Sequence, residues 1–166
     1  MAIPAQFDEF WDSFTREAGG VLTERFYEAF AFGDSAALAN ELAELVLNGT
    51  KQATAGSLWA NEAQGKALPA PGALSIVTNW AGKPLCVIET KSVEVLPFRE
   101  VSAQFAATEG EGDGSLSFWR EAHRQYFTRE CARLGREFTE DMPVVCEVFA
   151  VIYRAAASTV SPPAEH

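Results

Sequence analysis

The segment Gly49-Thr50-Lys51-Gln52-Ala53-Thr54 places a lysine and two threonines directly after a glycine. A lysine can hold a phosphate or a carboxylate, and it can act as a base when desolvation lowers its pKa. Thr54 can donate a hydrogen bond, or act as a nucleophile if a base stands beside it. Residues three apart on a regular strand face opposite sides, so Lys51 and Thr54 can act together only if the segment bends. Otherwise the pattern describes an exposed lysine and a structural threonine.

Glu89 is a second residue of a type that does chemistry, because it lies in the apolar segment Cys86-Val87-Ile88-Glu89-Thr90. On a strand its carboxylate is either solvated on the outer face or held in a pocket. A pocket would raise its pKa or bring it together with a cation such as Lys51.

Three carboxylates separated by glycines, Glu109, Glu111 and Asp113, form an acidic segment. Oxygen ligands at this spacing resemble part of a calcium loop, but the later bidentate glutamate is missing at the right distance. A divalent cation is therefore compatible with the segment without being indicated by it. The alternatives are a mobile acidic lid and a plain surface loop.

The segment after this loop has apolar residues at helical spacing, with His123 among them and Trp119 and Arg120 one turn before it. A histidine on such a face is either a packing residue or a titrating member of a site. Trp59, Trp119 and Tyr126 have flat side chains on which an unstacked base can stack.

Hydrophobic spacing predicts the elements that must position these residues. An aromatic stripe predicts a helix over residues 5–18, leucines predict a helix between Ser35 and Gly49, and the pattern from Leu116 to Leu134 predicts a third helix with Ser115 as its cap. Strands are predicted over 73–78, 85–90, 92–97 and 144–153, and 22–32 is predicted as a helix or a packed loop. Together they predict an α+β fold with an antiparallel sheet or a small barrel.

The charge balance limits the ligands that fit this chain. The formal charge is −10, because 23 acidic residues outnumber 13 lysines and arginines. Proteins that hold nucleic acid mainly through phosphates show a basic stripe, so any such contact here must be local. No stretch suggests a membrane span or a signal peptide, and three widely spaced cysteines favour a cytoplasmic protein with reduced thiols.

The ordered set of motifs resembles the ASCH family. The Gly49–Thr54 segment is similar to the Gly-x-Lys-x-x-Thr motif of that family, and further matches run from about Phe32 to Tyr153. They include Phe32-Gly33-Asp34-Ser35, Pro84-Leu85-Cys86-Val87-Ile88-Glu89-Thr90, Ser117-Phe118-Trp119-Arg120-Glu121-Ala122-His123 and Asp141-Met142-Pro143-Val144-Val145-Cys146-Glu147. The resemblance implies a PUA-like small β-barrel flanked by helices. We therefore expect a helical extension at residues 1–31, an ASCH domain at 32–154 and a disordered tail at 155–166.

The resemblance also implies a set of functions. The family is proposed to bind RNA in a cleft lined by the motif, and some bacterial members are ribonucleases. A smaller member type hydrolyses N4-acetylcytidine with a lysine, a threonine and a glutamate that fall by motif on Lys51, Thr54 and Glu89. This chain differs from the smaller type by its N-terminal aromatic helix and by the segment from about Glu109 to Leu134.

The leading hypothesis is a ribonuclease acting on single-stranded RNA, with Lys51 stabilising charge at phosphorus and Glu89 as general acid or base. The alternatives are an amidohydrolase on N4-acetylcytidine-type nucleosides and a non-catalytic module that binds RNA or a nucleotide. No cofactor, metal site, membrane partner or DNA specificity is expected. The substrate-binding residues are expected to be Gly49, Ser57, Trp59, Glu109, Glu111, Asp113, Trp119, Arg120, His123 and Tyr126.

Overall fold

The computed structural model describes residues 2–20 and 22–156. Helices and strands are mixed along this part of the chain. The α-helices are α1 (Asp8–Ala18), α2 (Ala36–Leu47), α3 (Leu58–Ala63), α4 (Ala103–Glu109) and α5 (Leu116–Arg133). The strands are β1 (Phe26–Phe30), β2 (Ala53–Ser57), β3 (Leu74–Thr78), β4 (Pro84–Pro97) and β5 (Pro143–Arg154).

One five-stranded sheet has the order β1-β3-β4-β5-β2. Strand β1 runs parallel to β3, and the other neighbouring pairs are antiparallel. The long strands β4 and β5 form the centre of the sheet, with register breaks in β4 between Val87 and Ile88 and between Thr90 and Ser92. These irregularities let the long antiparallel pair of β4 and β5 twist strongly while it stays hydrogen-bonded.

Three apolar clusters fix the helices on this sheet. Helix α1 packs its aromatic stripe, which includes Trp11 and Phe14, on the sheet face that carries Ile76 and Val87. Helix α2 covers the opposite face, where its buried residues meet Ile88. Helices α4 and α5, which connect β4 to β5, form the third cluster over the end of that strand pair. The sheet is therefore covered on both faces, and α2 and α5 flank the end where β2 begins.

The expected α+β class with an additional N-terminal helix is confirmed, with two differences. In the described residues the sheet is open, because β1 and β2 are its two edges. The segment 22–32, predicted as a helix or a packed loop, contains strand β1. Aromatic residues suit both a helix and a half-buried strand, so periodicity alone did not distinguish them. The tail predicted for residues 155–166 lies, from residue 157 on, outside the described residues.

The three cysteines are buried and free, as expected for a protein with reduced thiols. None of the helices in the described part of the chain has the length and apolarity needed to cross a membrane.

The chain bends sharply between α2 and β2, which gives Lys51 its position. Gly49 has a left-handed φ of 87°, a conformation that glycine adopts without a steric penalty. The Lys51 amide donates to the Leu45 carbonyl at 3.0 Å, and the Gln52 amide donates to the Thr108 carbonyl at 2.9 Å. The bend is therefore held against α2 on one side and against the end of α4 on the other.

Gly110 lies where the end of α4 meets this bend. Its φ is 67°, and a Cβ atom placed on it would lie 2.1 Å from the Thr50 carbonyl oxygen. Only a residue without a side chain permits this approach. Gly110 therefore joins the segment that carries Lys51 to the segment that carries Glu109 and Glu111.

We predict that Gly110→Ala lowers the free energy of unfolding by about 3 kcal/mol or more, because left-handed strain and a backbone clash add up. Gly82→Ala is the matched control, since its φ is also positive, at 92°, while nothing lies within 4 Å of its Cβ position. The control should lose only about 1 kcal/mol. Urea unfolding measures both, and equal losses would show that the contact with Thr50 is unimportant.

Candidate functional site

Lys51 is a buried cation whose hydrogen-bonding capacity is fully used. Its side chain is 1% exposed. The ammonium donates to Glu109 Oε2 at 2.8 Å, to Glu111 Oε2 at 2.7 Å and to the Ala53 carbonyl at 2.8 Å. An ammonium has three donors, so these three contacts satisfy it. Its Nζ also lies 5.3 Å from the centre of the Phe32 ring, which adds a cation–π contact.

Glu109 is the buried counter-ion of this lysine, and its second oxygen is held as well. The Trp119 indole Nε1 donates to Glu109 Oε1 at 2.6 Å, and His123 Nε2 lies 3.4 Å from the same oxygen. Both oxygens of a carboxylate that is 1% exposed thus face donors. A buried charge is tolerated only with such partners, so Trp119 and His123 contribute to keeping Glu109 ionised beside Lys51.

His123 is fixed in orientation by two contacts with Trp119. Its ring stacks on the indole with centroids 4.2 Å apart and planes 14° from parallel. Its Nδ1 lies 2.9 Å from the Trp119 carbonyl oxygen, which can only accept, so this nitrogen carries a proton. The other nitrogen, Nε2, is then directed at the Glu109 carboxylate.

The pKa values of Glu109 and Glu111 are shifted in opposite directions by their surroundings. Burial acts to raise the pKa of Glu109, but the charges of Lys51 and His123 outweigh it and hold that pKa well below its usual value. The pKa of Glu111 is raised by burial and by the neighbouring charge of Glu109, against the opposing effect of Lys51. Glu111, with a side chain 14% exposed, is therefore the acid of the cluster most suited to exchange protons with a ligand.

The pKa values of the two cationic partners are both raised. Burial acts to lower the pKa of Lys51, and the charges of Glu109 and Glu111 more than compensate. Burial likewise opposes protonation of His123, and the Glu109 carboxylate again outweighs it. Lys51 is thus a fixed positive charge here and cannot serve as a base near neutral pH.

Glu109, Glu111 and His123 also offer ligand atoms that lie within 4.8 Å of one another, the kind of grouping that can hold a metal ion. The ammonium of Lys51, however, already binds one oxygen of each carboxylate. A divalent cation would compete with that fixed charge for the same oxygens. The donor set is therefore neutralised by an internal cation, and it fits a resident metal poorly.

These groups form the floor of a cleft of about 320 Å³, called the Lys51 cleft below. One wall consists of Phe30 and Phe32, between β1 and α2. The opposite wall is the face of α5 that carries His123, Tyr126 and Arg129. Thr54, in β2, also lines the cleft, so the bend before β2 turns Lys51 and Thr54 toward the same space.

The structure brings together many of the residues expected from the sequence. Lys51, Thr54, Glu109, Glu111, His123 and Tyr126 all line the Lys51 cleft. Trp119 does not line the cleft: it is 2% exposed, and its indole donates to Glu109. The segment expected to be a mobile lid or a surface loop instead begins with a buried glutamate at the end of α4.

Glu89 is not brought to Lys51. It is aligned with Leu74 of β3 and shares the sheet face of Val87, on which α1 packs, whereas Lys51 contacts Phe32 on the α2 side. Its oxygens accept from Arg25 at 2.5 Å and from Lys91 at 2.8 Å. These partners lower the pKa of Glu89, with the Lys91 hydrogen bond contributing most. The expected pocket with Lys51 is therefore wrong, because strand alternation sends Glu89 to the other face.

The remaining expected residues lie outside the Lys51 cleft. Ser57 caps α3 by accepting from the Ala60 amide, and it lines an adjoining hollow of about 290 Å³. The other four have local structural contacts. Gly49 makes the bend, Trp59 stacks with the Arg136 guanidinium, Asp113 accepts from the Ser115 amide, and Arg120 donates to the Arg99 carbonyl.

Several residues of the cleft lining were missed from the sequence, among them Phe30, Gln125 and Arg129. The signal for two of them was available, since residues 122, 125, 126 and 129 follow helical spacing and share one face of α5 with the expected Tyr126. Phe30 had no such signal, because its strand was not distinguished from a helix.

Comparison with known proteins agrees with this architecture. The family model described as "ASCH domain" matches residues 28–153. The crystal structure of an ASCH domain from Lactobacillus crispatus JV V101 is 42% identical, with a TM-score of 0.77 and coverage of 89% of this chain and 92% of that one. The protein EF3133 from Enterococcus faecalis V583 is 32% identical, with a TM-score of 0.82 and coverage of 92% and 91%. No curated protein matches the chain.

We predict that Lys51→Met lowers the free energy of unfolding by about 3–5 kcal/mol, because the buried Glu109 carboxylate then lacks its lysine partner. Lys91→Met is the control, since that ammonium also binds a glutamate at 2.8 Å but its side chain is 52% exposed. The control should change stability by about 0–1 kcal/mol. Urea unfolding at pH 7.5 compares them. A similar small effect for both variants would contradict the role given to the buried ion cluster.

The contribution of His123 to stability should depend on pH. Its pKa is raised in the folded state above the usual 6.5, so the folded chain binds its proton more tightly than the unfolded chain does. The difference in free energy of unfolding between the wild type and His123→Gln should then be largest below pH 6.5. It should decline as pH rises through the folded-state pKa of His123. Urea unfolding of both proteins from pH 5.5 to 9 measures the difference. A pH-independent difference would exclude protonation of His123 as its source.

Proposed function

The chain belongs to the ASCH domain family, and from that premise we propose that it is a hydrolase that removes an acyl group from the exocyclic amine of a pyrimidine nucleoside of the N4-acetylcytidine type. One observation carries the proposal above the others. The family lysine, Lys51, lies at the floor of a small cleft with all its donors bound by Glu109, Glu111 and a backbone carbonyl. This arrangement suits a neutral amide better than a phosphodiester.

Phosphodiester cleavage would require Lys51 to face a developing negative charge at phosphorus. The lysine is 1% exposed and its three donors are bound by two glutamates and a carbonyl, so a phosphate at the floor would find no free N–H group on it and would lie beside two carboxyls. The adjoining hollow has Glu28, Glu130 and Glu147 in its lining. Its one lysine, Lys66, binds Glu28 at 2.5 Å. Neither space resembles the basic groove that follows an RNA backbone.

The shape and lining of the Lys51 cleft support a nucleoside as the ligand. Its volume of about 320 Å³ lies at the lower end of the range of small-molecule pockets, about 300–1,000 Å³. Phe30, Phe32 and Tyr126 give it aromatic walls for a flat base. Thr54 and Glu111 supply polar groups in the same space, which fits an amide that both donates and accepts hydrogen bonds.

Glu111 is the general base and acid in the proposed reaction. Its carboxylate takes a proton from a water molecule while the water oxygen attacks the acyl carbon. The resulting tetrahedral intermediate collapses as the carbon–nitrogen bond breaks, and Glu111 returns the proton to the departing amine. The products are the free nucleoside and a carboxylic acid, which then loses its proton to the solvent. A raised pKa suits an acid that must both accept and donate a proton.

Lys51 stabilises the oxyanion in this scheme. Protonation of Glu111 removes the charge that holds one of the lysine N–H groups, and that donor can then turn to the developing negative oxygen. Glu109 stays ionised and keeps the ammonium in place, with Trp119 and His123 as its support. The hydroxyl of Thr54 orients the acyl oxygen from the adjacent strand.

We predict that Glu111→Gln lowers kcat for release of acetate from N4-acetylcytidine by about a hundredfold or more, since it removes the proton-transfer group. Thr54→Val should lower kcat/KM by a smaller factor. Glu89→Gln discriminates between the two glutamates: its side chain is bound to Arg25 and Lys91, so this variant should retain activity close to that of the wild type. Chromatography follows the conversion. Loss of activity in Glu89→Gln but not in Glu111→Gln would reverse the assignment.

The same preparations test the other two functions. Labelled single-stranded RNA reports ribonuclease activity, and cleavage that disappears in Glu111→Gln would favour a nuclease using the same cleft. Binding of N4-acetylcytidine without conversion, at high enzyme concentration and across pH 6–9, would favour a binding module. No turnover by the wild type would overturn the proposed hydrolase.

A further inference from the structure

Two of the residues that line the described Lys51 cleft are lysine or arginine: Lys51 at the floor and Arg129 at the rim. The lysine has no donor left for a ligand, as its three contacts show. Any anionic group on a ligand in this cleft must therefore be met by Arg129. Its side chain is 48% exposed, so it is accessible from the cleft mouth.

The orientation of Arg129 is fixed by Asp34. Its Nε donates to Asp34 Oδ2 at 2.8 Å and its Nη2 donates to Oδ1 at 3.2 Å. A guanidinium has five N–H groups, so three remain for a ligand after these two are used. The Arg129 guanidinium carbon also lies 5.7 Å from the centre of the Tyr126 ring. An arginine held on one edge in this way presents its other edge with little loss of side-chain freedom.

The rim carries two guanidinium groups, together with the carboxyls of Asp34 and Glu130, in a chain that is strongly acidic overall. Arg133 Nη1 lies 3.7 Å from the same Asp34 oxygen that Arg129 contacts, so two guanidinium groups share one carboxylate. At the floor of the cleft, by contrast, the charges of Lys51, Glu109, Glu111 and His123 are paired with one another. An elongated ligand with a neutral end and an anionic end would therefore have a preferred direction in the cleft.

The spacing along α5 separates His123, at the floor of the cleft, from Arg129, at its rim. Arg129 follows His123 by six residues on the helix, which corresponds to about 9 Å along its axis. This span is comparable with the distance from the exocyclic amine of cytosine to a phosphate on the 5′ oxygen of its ribose. A base with its amine at the floor directs its ribose toward the rim.

We propose that Arg129, oriented by Asp34, is the subsite for a phosphate on the ribose, so that the cleft takes a nucleotide in preference to a free nucleoside. The direction of the ligand rests on the proposed function, which places the base at the floor. The phosphate is a 5′-monoester of a mononucleotide or the 5′ diester of a nucleotide in a strand. Both sources present the oxygens that a guanidinium recognises.

Calorimetric titration tests the proposal without depending on turnover. Wild-type protein is titrated at 50 mM salt with cytidine, with cytidine 5′-monophosphate and with a dinucleotide that carries cytidine at its 3′ end. We expect the monophosphate to bind about tenfold more tightly than cytidine, as one charge-assisted contact at a partly exposed site allows. A preference for the dinucleotide over the monophosphate would identify the diester as the source.

Two variants on α5 assign the preference to a residue. Arg129→Gln should bind cytidine as the wild type does and lose the preference for the phosphate. Arg124→Gln is the matched control, because Arg124 lies on the same helix, is 43% exposed and binds Glu140 instead. It should keep the preference. Asp34→Asn, which removes the carboxylate that orients Arg129, should weaken the preference for the monophosphate.

The outcomes separate this proposal from the hydrolase. A phosphate preference that depends on Arg129, in a protein that converts no N4-acetylcytidine, supports the subsite and overturns the activity. Equal binding of cytidine and its monophosphate overturns the subsite even if acetate is released. Equal loss of both ligands in Arg129→Gln also overturns it, since the residue would then be structural. Binding of neither ligand by the wild type counts against both proposals.

Discussion

The burial of one lysine charge is the constraint on which the site depends. Removing an ammonium from water costs several kcal/mol, and here it is offset by two carboxylates, one carbonyl and an aromatic face. These partners come from segments far apart in the chain, so they must all be in place together. The bend at Gly49, the close approach at Gly110 and the Trp119–His123 stack each serve this requirement. These contacts all surround the place of the proposed chemistry.

The ion cluster also explains how an acidic protein can use a family lysine without attracting polyanions. The lysine charge is cancelled inside the cluster, and the surface beyond the cleft remains acidic apart from the arginine-rich rim. Recognition can then depend on shape and hydrogen bonds at the floor and on a single charge at the mouth. Under the proposed function, such an arrangement would favour a nucleoside or a single nucleotide over a strand held along its backbone.

Local patterns predicted most of the fold and half of the site. The helix between Ser35 and Gly49 and the helix after Ser115 were predictable because caps and apolar spacing lie in adjacent residues. Glu89 was misplaced because the face of a strand depends on how the sheet packs, and its partner Arg25 is 64 residues away. Arg129 was missed although it shares a helix face with Tyr126, because charge on an exposed helix face is common and spacing alone does not show which face lines a cleft.

Strand β1 has a consequence for how the chain can be shortened. It covers the edge of β3 with parallel hydrogen bonds, and its last residue, Phe30, forms part of the cleft wall. A truncation designed to remove the N-terminal residues as a dispensable extension would bare a strand whose five residues are all buried. Uncovered edges of this kind pair with other chains, so such a truncation would favour self-association through the sheet. Strand β1 thus protects the edge of β3 as well as completing the cleft.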